Sequence, residues 1–338
     1  MAPFIGVVAD VLGRRRIIAI SICLLTVPTA LIAAAATLDQ IVFYRFLQGL
    51  LLPPVFAVAV AYIGDEFPRD RIAAVTAIYT TGSILGGFSG RFIAGWVGDY
   101  GGWRAAFLVL AALNLGAALV VIALLPRERH FVRAEGLLRS LTMMARHFRD
   151  RRLVATFAVG FGVLFCFVVI FTFINFQLAD SPFDFSAAEL GSLFVVYLFG
   201  AVTTPLTGRL VTRFGRRRLV LGAVGSWGVG IALTAIPDLT AILVGLVIAA
   251  SSGFICQAVS TGYVAFAATA ARSSAVGLYV TAYYLGGRIG AVIGGLAWHG
   301  AGWLGCVALV WLMLAIVAVL VFRFWHEPPE RLGELARG

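Results

Sequence analysis

Ten apolar runs, each long enough to cross a lipid bilayer, follow one another along the chain at about 17–36, 41–63, 72–97, 104–125, 153–175, 188–211, 219–236, 240–264, 273–297 and 303–324. A transmembrane helix takes about 20 apolar residues, so ten of them occupy roughly 200 of the 338 positions. Hydrocarbon offers no partner to a backbone N–H or C=O, which leaves internally bonded helices as the solution for runs of this length. The fold class is therefore read as an all-α polytopic membrane protein. Composition closes the other routes. At 61% apolar and 12% charged, the chain stands far from the roughly 45–50% and 25% of soluble domains and is the reverse of a disordered chain.

The formal charge is +10, and all 26 basic residues are Arg. Alternate loops sort by sign. One set holds Arg14 to Arg16, Arg69 and Arg71, eight Arg between Arg127 and Arg152, five between Arg209 and Arg218, Arg272, and Arg323, Arg331 and Arg337: 22 Arg against ten carboxylates. The other holds Asp39, Asp99, Asp180, Asp184, Glu189 and Asp238, with Arg104 as its single base. The positive-inside rule then puts the arginine-rich loops and the C-terminus in the cytoplasm, in what is read as a bacterial inner membrane. Anionic lipid, not nucleic acid, is the expected partner of the excess charge.

Chemistry of the enzyme kind finds little footing. Cys23, Cys166, Cys256 and Cys306 all fall inside apolar runs without metal or disulfide spacing, and His130, His147, His299 and His326 lie in loops far apart. No metal site and no acid–base cluster within the membrane is expected. A phosphate-binding loop of the Gly-x-x-x-x-Gly-Lys type cannot occur in a chain without Lys, so no cofactor and no ATP drive is expected.

The chain also repeats itself. Gly6-Val-Val-Ala-Asp10-Val-Leu-Gly13-Arg14-Arg15-Arg16 returns 202 residues later as Gly208-Arg-Leu-Val-Thr212-Arg-Phe-Gly215-Arg216-Arg217-Arg218. Residues 79–103 return 200 residues later at 279–303 with ten identities, among them Gly86/Gly286, Gly87/Gly287, Gly90/Gly290, Gly102/Gly302 and Trp103/Trp303. Near-constant offsets tie both matches to one duplication. The expected domains are a bundle over 1–125, an Arg-rich linker over 126–152, a six-helix bundle over 153–325 and a tail over 326–338. Within the linker, LLRSLTMMARHF fits either a short amphipathic helix on the membrane surface or a solvated connection.

Two parallel repeats joined by a basic loop, together with three local signatures, resemble the major facilitator superfamily, a 12-helix fold of two homologous bundles related by an axis along the membrane normal. The stretch carrying Gly6, Asp10, Gly13, Arg14, Arg15 and Arg16 is similar to its first signature, between helices two and three; Gly208, Gly215, Arg216 and Arg217 form a second copy. In that register the run at 17–36 is family helix three and the run at 303–324 is helix twelve. The resemblance implies alternating access around a substrate site near the midplane. It also implies a gating role for Asp10, braced against the start of helix eleven near Ser273 and Ser274. Thr212 replaces the aspartate in the second copy, so a charged latch there is not expected. Arg14 to Arg16 alone also fit a simple stop-transfer cluster.

YRFLQG, containing Arg45, Gln48 and Gly49, resembles the antiporter signature of helix four. On a 1.5 Å rise Arg45 falls roughly 7 Å inside the membrane, where snorkelling and a cavity-facing role in proton transfer or substrate handling both fit. Gly82, Gly86, Gly87, Gly90 and Arg91 resemble the helix-five motif of drug antiporters, with Gly87 in place of its proline and Arg91 in place of its last glycine. Small residues four apart serve close packing or a sliding interface. Arg288, about fifteen residues into helix eleven, is the deepest charge; it is expected to face the central cavity or a helix C-terminus and to meet an anionic or carbonyl-bearing substrate. Asn175, Gln177 and Gln257, with Tyr79, Tyr279 and Tyr283 as aromatic walls, are candidate cavity residues that also fit interhelical hydrogen bonds or the interfacial belt.

The implied function is secondary active transport of a small organic molecule by a monomer, with lipid, substrate and protons as partners. Proton-coupled efflux comes first, a passive or uptake carrier second, and a transport-incompetent fragment third. The third reading comes from the repeat. Gly208 lies 55 residues after Leu153, whereas Gly6 has five residues before it, so the first half is short by about 50 residues, helix one and most of helix two in the family register. Met1 is on this reading an internal start or the edge of a truncated gene. In related transporters helix one often carries the titratable carboxylate, which fits the lack here of any carboxylate deeper than the first turn of a run.

Overall fold

The computed structural model describes residues 13–67, 69–126, 128, 147–268 and 272–325, and these are helical with no strand. The helices are α1 (Arg14–Ala33), α2 (Leu38–Glu66), α3 (Arg69–Leu124), α4 (Arg151–Ala179), α5 (Ala187–Ser192), α6 (Val196–Phe214), α7 (Arg216–Leu233), α8 (Leu239–Ala267) and α9 (Arg272–Phe324). A 3-10 turn, Leu193–Val195, joins α5 to α6. Non-helical backbone at Gly102 divides α3 into two limbs, and Ala301 with Gly302 divides α9. Counting the limbs, and α5 with α6 as one span, ten segments coincide with the ten apolar runs. Most helix ends reach beyond the runs, though α1 and α7 stop three residues short at their C-terminal ends; Thr37 caps α2 by accepting from the Gln40 N–H, and Asp150 caps α4 by accepting from the Arg152 N–H. Gly6, Asp10, the segment 129–146, the tail from 326 and the side chains of Ser273 and Ser274 lie outside the described residues.

The duplication is visible in the backbone. Gly13 (φ 90°, ψ 138°) and Gly215 (φ 77°, ψ 156°) open α1 and α7 in the same conformation, one that residues with a Cβ rarely adopt. Gly102 (φ 76°) and Gly302 (φ 59°) likewise share positive φ at the breaks of α3 and α9. Each break lets two spans turn back on one another with almost no loop.

The chain forms two compact units, residues 1–142 with 185–194, and residues 143–184 with 195–338. In the first, α1 packs on α2 and on the second limb of α3, with Ile17, Ile18, Val58 and Tyr62 at the core. Polar side chains pin these helices where apolar packing alone would leave them free to slide. Asn114 donates to the Ile22 carbonyl at 2.9 Å and to Thr26 Oγ1 at 2.8 Å, and Arg104 donates to the Ala35 carbonyl at 3.2 Å, at the negative end of α1. At the arginine-rich end, Gly13 has no side chain to cap α1, and the Glu128 carboxylate does so instead by accepting from the Arg15 N–H. Arg15 Nη2 then donates to the Ile122 carbonyl at 2.9 Å, and Tyr62 OH to the Pro126 carbonyl at 3.1 Å.

In the second unit α4 is the central element, with 17 of its 29 residues buried. Gly286, Gly290 and Gly294, one turn apart on α9, bring that helix against the Phe161 carbonyl, Phe165 and Phe173 of α4. Phe167, Phe171, Tyr197, Trp227 and Phe254 fill the space between α4, α6, α7 and α8 as tilted and edge-to-face rings. Trp303 donates to the Thr234 carbonyl at 2.9 Å, fixing the second limb of α9 to the end of α7, as Arg104 fixes α3 to the end of α1. The outer surface is apolar: Leu119, Val120, Leu124, Val292, Leu296, Leu312 and Val319 are all exposed, as a bilayer requires.

Replacing Gly215 with Ala should lower stability by about 1–3 kcal/mol, the usual cost of backbone held in such a region. Gly208→Ala, inside α6 with open space around its Cβ position, should be neutral or mildly stabilising. Glu128→Ala, which leaves the start of α1 uncapped, should cost about 1–2 kcal/mol. Melting temperatures of the purified variants in one detergent test all three.

Candidate functional site

Arg45 is the charged group whose setting is best defined. It lies on α2 seven residues after Leu38, about 10 Å from the helix end at 1.5 Å per residue. The helix starts at Leu38, three residues ahead of the apolar run at 41–63, with Thr37 as its cap. Arg45 Nη1 donates to Gln48 Oε1 at 3.3 Å, and the guanidinium stands 5.0 Å from the centroid of the Phe107 ring. Gln48 is buried; its Nε2 donates to Thr29 Oγ1 at 2.7 Å, and Thr29 donates in turn to the Leu25 carbonyl at 2.7 Å. The chain of bonds thus orients the amide so that its oxygen faces the arginine. The Arg45 side chain is nevertheless exposed, and its partners among the described residues are an amide and an aromatic face, with no carboxylate. Most of its N–H groups remain available to another acceptor. Gly49 follows, half-buried.

The helix-five motif divides. Cβ positions on Gly82, Gly86 and Gly90 meet nothing within 4 Å among the described residues, so these glycines present an open face. Gly286 and Gly290, the repeats of Gly86 and Gly90, pack closely on α4, and Ala282 stands where Gly82 would repeat. The close approach in the first unit comes one turn later: a Cβ on Gly95 would lie 2.5 Å from the Ala187 carbonyl oxygen and 2.7 Å from Gly191 Cα. Arg91 is exposed, with Nη1 donating to the Gly87 carbonyl at 3.0 Å and its guanidinium 4.7 Å from the Phe194 ring centroid. Tyr79 lies half-buried earlier on the same limb.

In the second unit, Ser260 Oγ and Tyr279 OH share a hydrogen bond of 2.7 Å, buried between α8 and α9, and Tyr279 presses against Gly160 of α4. Tyr283 stacks one turn beyond Tyr279, with centroids 6.3 Å apart. Gln257 lies one turn before Ser260, half-buried, and its side-chain amide makes no hydrogen bond among the described residues. These four residues form one polar and aromatic group. Asn175 and Gln177 do not join it. They sit near the far end of α4, about 36–39 Å from Arg151 along the helix axis, and Asn175 Nδ2 is taken up by the Phe171 carbonyl of its own helix at 2.7 Å. Arg288 is exposed, on the face of α9 turned away from the glycines that meet α4. At the second copy of the first signature, Arg217 lies over the Phe322 ring at 4.4 Å, Thr212 Oγ1 donates to the Arg209 carbonyl at 2.8 Å, and Arg216 is half-buried. Arg14 and Arg15 are half-buried and Arg16 is exposed.

Thr29, Asn114, Glu128 and Ser260 were not singled out from the sequence. For Thr29, Asn114 and Ser260 the available signal was a polar residue in an apolar run, which marks an interhelical bond without naming its partner; Glu128, in the linker, carried no such signal. Among the described residues no group of three or more His, Cys, Asp or Glu is placed to hold a metal ion. The four cysteines are free thiols, three of them buried.

A sequence profile of the Major Facilitator Superfamily matches residues 1–181 and again 174–338, between them the whole chain. The inner membrane transport protein YnfM of Escherichia coli (strain K12) is 33% identical over 325 residues, which is 96% of this chain and 78% of YnfM. A protein named as an uncharacterized transporter in Buchnera aphidicola subsp. Schizaphis graminum is 30% identical over 319 residues, 94% of this chain and 77% of its own. The crystal structure of the human organic anion transporter MFSD10 (TETRAN) superposes with a TM-score of 0.69 at 17% identity, over 95% of this chain and 80% of that one, a likeness of fold. With helices throughout the described residues, a family profile over the whole chain and relatives named as transporters, the chain belongs to the Major Facilitator Superfamily and is a polytopic membrane carrier, not an enzyme.

Proposed function

We propose that the protein exports a small organic molecule in exchange for protons, by alternating access across a bacterial inner membrane. The observation that carries this reading is Arg45. A guanidinium within an apolar run, about 10 Å along its helix, is expensive to keep, and this one is held in place by Gln48 and Phe107 while most of its donors stay open. The resemblance of YRFLQG to the antiporter signature supports the direction of transport. In this reading the arginine-rich loops and the C-terminus face the cytoplasm, the protein works as a monomer, and the proton gradient alone supplies the drive.

Cargo of negative charge suits the arginines inside the spans, Arg45, Arg91 and Arg288, none of which shares its run with a carboxylate deeper than the first turn. The solved relative MFSD10 is named an organic anion transporter, which makes organic anions the first class to try. The same shortage of carboxylates favours a second reading, a passive carrier, since no acidic side chain within these spans is placed to carry a proton.

Flux into proteoliposomes separates the two. Across a panel of organic anions, cations and neutral solutes, an imposed gradient with the acid side inside should drive at least one solute above its equilibrium level. Equilibration without accumulation means a passive carrier, and no flux of any solute refutes transport by this chain. Arg45→Gln should lower the flux at least about tenfold, the factor equivalent to about 1.4 kcal/mol, with Arg45→Lys between it and the parent.

A further inference from the structure

The duplication sets one arginine in two different surroundings. Arg15 and Arg217 are equivalent at the 202-residue offset, and Ile122 and Phe322, near the ends of α3 and α9, are equivalent at the 200-residue offset. In the first unit Arg15 is met from within: its N–H goes to the Glu128 carboxylate and its Nη2 to the Ile122 carbonyl at 2.9 Å. In the second unit the Arg217 guanidinium lies over the Phe322 ring instead, 4.4 Å from the centroid, and meets no hydrogen-bond acceptor among the described residues. Stacking occupies the flat face of a guanidinium and leaves its rim of N–H donors clear. Phe322 is 63% exposed on the apolar surface of α9, so the arginine is held at the margin of the hydrocarbon. Arg213 and Arg218 stand two residues and one residue to either side of Gly215 and Arg217, and Arg323 follows Phe322; all three are exposed, and none pairs with a carboxylate among the described residues. Away from this end the second limb of α9 lies against α7, where a Cβ on Gly228 would stand 3.4 Å from the Trp311 ring. Trp311, Ala315 and Phe322 are exposed and fall within about 40° on one helical face, a strip roughly 16 Å long.

We propose that this place is a binding site for one anionic phospholipid, whose phosphate takes the N–H rim of Arg217 with Arg213 and Arg218 beside it, and whose acyl chain follows the strip Trp311, Ala315 and Phe322 along the seam of α7 and α9. Guanidinium and phosphate match in planar, paired hydrogen bonds, and the Phe322 ring holds the guanidinium in place before the lipid arrives. Basic side chains at a membrane surface attract anionic lipid in general; what makes this a site is an arginine fixed flat on a lipid-facing ring, at the head of an apolar strip. A zwitterionic headgroup brings no net charge to the arginines, and a free phosphate gains nothing from the strip. The site is independent of the transport reading and stands whether or not protons drive the carrier.

Native mass spectrometry of the full chain in detergent, titrated with phosphatidylglycerol or phosphatidylcholine, counts each bound lipid. Phosphatidylglycerol should bind at least about fivefold more tightly than phosphatidylcholine, and Arg217→Gln should weaken it about fivefold, the weight of one arginine at an anionic surface. Phe322→Leu keeps the charges and the apolar bulk but removes the ring face, and should weaken it about threefold. Arg71→Gln, the same loss of charge at an exposed position of the first unit, should leave binding at the parent's level. Melting temperatures in the same detergent confirm that each variant is folded. Equal binding of the two lipids, or equal weakening by Arg71→Gln and Arg217→Gln, overturns the site in favour of diffuse charge. Displacement of the lipid by inorganic phosphate at the lipid's own concentration overturns it in favour of a simple anion site, and parent-level binding by both Arg217→Gln and Phe322→Leu places the lipid elsewhere.

Discussion

Hydrocarbon satisfies no hydrogen bond, and the rest of the structure follows from that. Each apolar run must close its own backbone bonds as a helix, so irregular backbone is confined to the ends of spans. The turns Gly13, Gly102, Gly215 and Gly302 all occupy positive φ at such ends, where a sharp reversal keeps the unbonded stretch short. The same condition governs side chains. Between helices already as apolar as the lipid there is little hydrophobic gain in association, so the first unit is held in register by a few polar pins, Asn114 on Ile22 and Thr26, Gln48 on Thr29, and Arg104 on Ala35.

The two units solve that problem with different side chains on one duplicated plan. In the second, aromatic rings and closely set glycines do most of the work: α9 lies against α4 through Gly286, Gly290 and Gly294, and Trp303 rather than an arginine holds the end of α7. The first unit leaves the corresponding glycines Gly86 and Gly90 open among the described residues. Arg45 and Arg91, charged residues on its helices, are exposed.

What was legible in the sequence was whatever depends on a helix's length or on a backbone conformation. Ten runs, glycines at the turns and the 200-residue repeat all carry through to the structure because they need no knowledge of which way a side chain points. Facing was not legible. Asn175 reads equally as a cavity residue, an interhelical hydrogen bonder or a belt residue, and the bond that its Nδ2 makes to the Phe171 carbonyl one turn back could not be read from the sequence. Glu128 reads as a linker charge, and only the fold brings it to the start of α1, over a hundred residues away in the chain. Arg45 was identifiable as costly; its brace of Gln48, Thr29 and Phe107 depends on how α1, α2 and α3 pack.

The central claim is that this chain carries solute by exposing one site alternately to the two sides of the membrane. The most direct measurement replaces Gln257 with Cys in a chain freed of its other cysteines and follows labelling by a membrane-impermeant thiol reagent in right-side-out and inverted vesicles. Alternating access predicts labelling from both sides, with the two rates shifting in opposite directions when a transported solute is added. Labelling from one side only, at a rate no solute alters, would contradict it.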